Sequence, residues 1–85
     1  MEKWKSIIAG LKYMIQFKDA PSEDVLLLDK AIRRGDAIAC TKEEMIDALK
    51  NALNSEEDLS SIPPKKHSDD VLRKTFKLLI KELLV

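Results

Sequence analysis

At 85 residues the chain has room for one folding unit. Its one cysteine, Cys40, excludes an internal disulfide and points to a reducing compartment. Fifteen basic residues balance fifteen acidic ones, with 45% hydrophobic and 35% charged residues, so neither a disordered polymer nor a broadly polycationic nucleic-acid binder fits. The longest apolar runs, such as Val25-Leu26-Leu27-Leu28, fall far short of the ~20 residues that span a bilayer. The first residues lack a signal-peptide apolar region, and a cytoplasmic location is expected.

Pro21, Gly35 and Pro63-Pro64 divide the chain into four segments. In the first, Trp4, Ile7, Ile8, Leu11, Met14 and Ile15 recur at helical spacing and predict an amphipathic helix over about 2–18. In the second, Ser22 is placed to cap a helix over 22–34. Arg33 and Arg34 sit in its last turn, and Gly35 is placed to stop it in the left-handed conformation. Val25, Leu28 and Ile32 form one stripe there, while Leu26 and Leu27 point elsewhere. This helix is therefore expected to be the most buried of the four.

Ala37-Ile38-Ala39 would tuck against the core. Thr41 and Glu44 have capping-box spacing and open a third helix over 41–54, with Met45, Ile46, Leu49, Ala52 and Leu53 on one face. The stretch 55–67 is polar, with Leu59 and Ile62 as anchors. Within it, Pro63-Pro64-Lys65-Lys66-His67 reads either as a solvated linker or as a flexible docking segment. Ser68 caps a fourth helix over 68–84, whose Leu72, Phe76, Leu79 and Leu83 make a coiled-coil-like seam. Four amphipathic helices without a strand predict an all-α fold, an antiparallel four-helix bundle occupying 1–85. Trp4, Leu11, Leu28, Ile32, Leu49, Leu53, Leu72, Phe76 and Leu79 are its expected core.

The chemistry-bearing motifs are missing. One cysteine and one distant histidine, His67, cannot make a structural metal site or a thiol–imidazole pair. His67 is expected at the surface, and Cys40 as a small buried hydrophobe. Two isolated glycines cannot form a phosphate loop. Acidic pairs such as Glu43-Glu44 and Asp69-Asp70 stand in first turns, where the helix dipole accounts for them. No catalytic residue, metal or cofactor is expected, and the protein is read as non-enzymatic.

Charge is nevertheless segregated. Lys3, Lys5, Lys12 and Lys18 make the first helix basic. Glu43, Glu44, Asp47, Glu56, Glu57 and Asp58 make the third segment acidic. The last helix carries Arg73, Lys74, Lys77 and Lys81 beside an apolar end, Leu78-Leu79-Ile80 and Leu83-Leu84-Val85. Either the basic helices flank and solvate the acidic one, or they form a binding face. The partner-binding candidates are Arg73, Lys74, Lys77, Lys81 and Leu84, for an acidic partner or an anionic surface, and the aromatic pair Tyr13 and Phe17. Closure of a homodimer is the competing use of the apolar end. Nucleic acid is not expected, because the acidic first turn of the third helix would repel phosphate.

Leu11, Tyr13 and Ile15, then Leu26-Leu27-Leu28 with Lys30-Ala31, the Arg34-Gly35-Asp36 stop, and Leu49 and Leu53 together give a layout over about residues 7–53. It resembles the immunity proteins that protect lactic-acid bacteria from pediocin- and enterocin-type bacteriocins. The Pro63-Pro64 loop departs from that family's pattern. The resemblance implies a cytoplasmic, non-enzymatic antiparallel four-helix bundle. Its C-terminal part would set specificity towards a membrane-bound receptor or bacteriocin complex. The alternative is a small regulatory adaptor or phage-type inhibitor that binds a protein through an apolar helix face.

Overall fold

The computed structural model describes residues 3–35 and 40–85. They form four α-helices: α1 (Lys3–Ile15), α2 (Val25–Arg34), α3 (Lys42–Asn54) and α4 (Asp69–Leu83). No strand occurs among the described residues. The fold is all-α, with the four helices packed against one another. The expected role of 37–39 lies outside the described residues.

Local chemistry sets the helix ends. The Glu44 amide donates to Thr41 Oγ1 at 3.1 Å and the Thr41 amide donates to Glu44 Oε1 at 2.9 Å, which completes the capping box of α3. Ser68 caps α4 by accepting from the Val71 amide. Gly35 takes φ 73°, a conformation that a side chain would strain, and its amide closes α2 on the Ile32 carbonyl at 3.0 Å.

Two ends differ from expectation. α1 stops at Ile15, not near Lys18. The Lys18 amide folds back to the Ile15 carbonyl at 3.1 Å, and His67 Nε2 donates to the same oxygen at 2.9 Å. A carbonyl can only accept, so Nε2 carries the proton. His67 is therefore half-buried and engaged at a helix end rather than free at the surface. Ser22 is not a cap. Pro21, with φ fixed and no amide to leave unpaired, opens a 3-10 turn (Pro21–Asp24) that runs into α2.

One cluster of side chains forms the core. α1 contributes Ile8, Leu11 and Ile15, and α2 contributes Val25, Leu28 and Ile32. Met45, Ala48, Leu49 and Ala52 enter from α3, and Leu72, Phe76, Leu79 and Leu83 from α4. Trp4, Ile46 and Leu53 pack at its edge, half-buried, rather than inside it. α1 lies chiefly on α3, α3 on α4, and α4 on α2 and the 3-10 turn before it, so α3 and α4 are the middle of the assembly. α2 is covered on one side only. Leu26 and Leu27 are 62% and 60% exposed, which overturns its expected place as the most buried helix.

The stretch between α3 and α4 is a strap pinned to the core. Leu59 and Ile62 are buried. A second 3-10 turn (Leu59–Ser61) is capped by Asp58, which accepts from the Ser60 amide at 2.9 Å and from the Ser60 hydroxyl at 2.6 Å. These bonds hold the Asp58 carboxyl below its ordinary pKa. The Leu59 amide donates to Asp69 Oδ1 at 2.7 Å, which ties the strap to the first turn of α4. Leu59 and Ile62 thus anchor the stretch as expected, and His67 ties its far end to Ile15.

Candidate functional site

Two sets among this chain's fifteen cations contrast, six tied into the fold and three gathered on α4, and the contrast locates the candidate surface. The first group is consumed inside the fold. Arg73, at the start of α4, donates from Nε to Asp69 Oδ2 at 2.8 Å. Its two terminal nitrogens reach the carbonyls of Leu53 at 3.2 Å, Ser55 at 2.9 Å and Glu57 at 2.9 Å. One planar, five-donor group thereby closes the C-terminal end of α3, whose last carbonyls have no partner within the helix. Arg33 does the same for α4. It pairs with Asp29 at 2.8 Å and donates to the carbonyls of Glu82 and Val85, both at 3.2 Å.

Lys12 is the extreme case. Its side chain is 2% exposed, and its Nζ donates to the carbonyls of Leu59, at 2.7 Å, and Ile62. Burial pushes the ammonium pKa down, nearby Asp58 opposes that, and Lys65 adds to it. By charge alone Lys12 is one more member of the basic first segment. Its spacing, four after Ile8 and three before Ile15, is the signal that it borders the buried stripe.

The remaining lysines of the first segment pair with acids. Lys3 meets Glu44 at 2.6 Å, Lys5 meets Glu57 at 2.8 Å and Lys18 meets Asp24 at 3.8 Å. The Lys3 ammonium, with the Thr41 amide, holds Glu44 below its ordinary pKa. The basic first helix thus lies against acidic partners, as the solvating reading of its charge requires.

The second group is left over. Lys74, Lys77 and Lys81 are exposed, and none makes a hydrogen bond or ion pair among the described residues. With Leu78 they stand at i, i+3, i+4 and i+7, one stripe on the side of α4 opposite the buried seam. Asp70, Arg73, Lys74, Lys77 and Leu78 line a shallow concavity along it. A neighbouring groove between α4 and the start of α2 is lined by Ser22, Glu23 and Leu26 on one side and by Leu78 and Lys81 on the other. Leu78 is the shared wall.

Of the candidate partner residues, Lys74, Lys77 and Lys81 come together on this stripe, and Leu84 lies 60% exposed just past the end of α4. Arg73 borders the stripe, but its guanidinium is committed to α3. Tyr13 and Phe17 are 66% and 84% exposed, so both stand open to solvent rather than covering a neighbouring helix. They belong to α1 and the turn after it, which pack on α3, and neither groove along α4 includes them.

Burial and the nearby Glu44 carboxylate raise the Cys40 thiol pKa, which keeps it protonated. Among the described residues no group of three or more His, Cys, Asp or Glu side chains could hold a metal ion. Nor is any helix among them long and apolar enough to cross a membrane. Compared with known protein families, curated proteins and solved structures, the chain matches none.

Proposed function

We propose that this chain is a non-enzymatic, cytoplasmic helical domain that binds an acidic protein partner through the outer face of α4, in the manner of the bacteriocin immunity proteins its sequence resembles. One observation carries this reading. Six of its cations are tied into the fold, yet Lys74, Lys77 and Lys81 stand together, unpaired, around a partly exposed leucine. Three aligned lysines that form no ion pair, with Asp70 as the acid in the concavity they line, offer a net positive field to a partner and steer its approach. The raised thiol of Cys40 and the engagement of His67 with Ile15 support the non-enzymatic part.

The test is the double charge reversal Lys77→Glu/Lys81→Glu. Tagged wild type and variant are compared for capture of a partner from producer-type cells and for survival of expressing cells in a bacteriocin challenge. The reading requires loss of capture and of protection at nearly unchanged thermal stability. Retention of both would sink it.

The adaptor reading has its own observation, the exposure of Leu26 and Leu27 on the open side of α2. It predicts that Leu26→Asp/Leu27→Asp abolishes capture while the lysine reversal does not. It also predicts a regulatory or prophage gene neighbourhood in place of a bacteriocin precursor.

A further inference from the structure

The outer face of α4 carries two parallel rows. Val71 and Leu78 lie seven residues apart and are 37% and 39% exposed. Lys74 and Lys81, also seven apart, run beside them, with Lys77 on the far flank. Leu26, across the groove from Leu78, widens the apolar row, and Leu84 prolongs the surface past the helix end. A seven-residue repeat with an apolar row and a flanking charged row is the pattern by which one helix receives another alongside it. From Val71 to Lys81 the rows extend about 15 Å at the helical rise, enough for about three turns of a docked helix.

We infer that the partner element is an acidic amphipathic α-helix of another protein, laid along α4. Its apolar side rests on Val71, Leu78 and Leu26, and its carboxylates meet Lys74, Lys77 and Lys81. This rests on the reading above that the outer face of α4 binds an acidic partner. Charge complementarity decides the occupant. A second copy docked through the same face would set lysine row against lysine row, which costs rather than gains. An added β-strand would need an unpaired backbone edge, and a helix surface offers none.

Three synthetic helical peptides, each of about three heptads, provide the probe. The first has leucine at the heptad seam and glutamate on the flanks. The second carries lysine in place of glutamate. The third has the composition of the first with its apolar positions scrambled. Titrated into the isotope-labelled full chain, the acidic peptide should perturb amides from Val71 to Lys81 and at Leu26. It should bind at least about tenfold more tightly than the other two, a gap of ~1.4 kcal/mol. Leu78→Asp should weaken it by a similar factor. Lys77→Glu/Lys81→Glu should reverse the preference towards the lysine peptide, a switch that loss of structure could not produce.

Equal binding of the acidic and basic peptides would overturn the inference, as would perturbation centred on Tyr13 and Phe17. So would self-association of the free chain that disappears on charge reversal, or binding to phosphatidylserine vesicles with none to the acidic peptide. If the reversal abolishes partner capture from cells while the acidic peptide does not bind, the helix is wrong as the docked element and the α4 surface stands.

Discussion

Arg73 and Lys77 stand one turn apart on the same helix and line the same concavity, yet one is drawn into the fold and the other is left to solvent. Around Arg73 the chain is closed. A guanidinium caps α3, Lys12 holds the strap from beneath, Asp69 holds it from α4, and His67 secures its far end to α1. Around Lys77 the chain is open, with three ammonium groups and Leu78 facing outward. Formal charge does not distinguish these regions, since both look basic in the sequence. The difference is what each cation finds within reach. Helix ends present unpaired carbonyls that draw in Arg73 and Arg33, and the carbonyls of the strap draw in Lys12. The middle of the outer side of α4 presents none.

The comparison can be broken at several levels. The largest effect belongs to the core beneath both regions. Phe76→Ala, at a fully buried position, should cost about 3–5 kcal/mol, whereas Leu26→Ala on the open side of α2 should cost less than ~0.5 kcal/mol. Urea midpoints measure both, and equal shifts would contradict the burial pattern.

At the closed region, Arg73→Ala leaves the carbonyls of Leu53, Ser55 and Glu57 without their donor. It should destabilise by about 1–3 kcal/mol. Lys12→Met should cost a similar ~1–3 kcal/mol, by orphaning the Ile62 carbonyl and leaving the Leu59 carbonyl with only the 3.3 Å bond from the Ile62 amide. In both variants, hydrogen exchange at the Leu59 amide should accelerate more than at α3 core amides.

A smaller effect follows from the lowered pKa of Lys12. On raising the pH, the folded form gives up this proton before the unfolded form, whose value is the ordinary 10.5. In that window the unfolded chain binds more protons, so this group's contribution to stability rises with pH from the lowered folded value up to 10.5. Urea midpoints across that window, taken as the difference between wild type and Lys12→Met, isolate the contribution. A difference that falls or stays flat would contradict the assignment.

Much of the architecture was legible because its causes are local. Thr41 with Glu44, Ser68 and Gly35 mark helix ends through their own backbones, and the seam Leu72–Phe76–Leu79–Leu83 follows from one helix's periodicity. The failures share a different cause. The burial of α2 depends on which helices lie over it, and its pattern cannot report that α4 covers only one side. Lys12 and Arg73 owe their roles to carbonyls 47 and 20 residues away, and His67 to one 52 residues away, contacts that exist only after folding. Of the candidate surface, the lysine spacing on α4 was readable. That Arg73 is withdrawn from it, and that Leu26 faces Leu78 across a groove, was not.

The division of the cations is tested most directly by comparing Arg73→Glu with Lys77→Glu/Lys81→Glu in thermal melts and in partner capture. Arg73→Glu should lower the melting temperature by several degrees, the shift expected of ~1–3 kcal/mol in a chain this small. The double lysine variant should melt within about a degree or two of wild type, as exposed substitutions do. Capture by the double variant should nevertheless be lost, while Arg73→Glu, assayed well below its own melting temperature, should retain it. A double variant that melts early, or one that captures its partner as wild type does, would contradict the account.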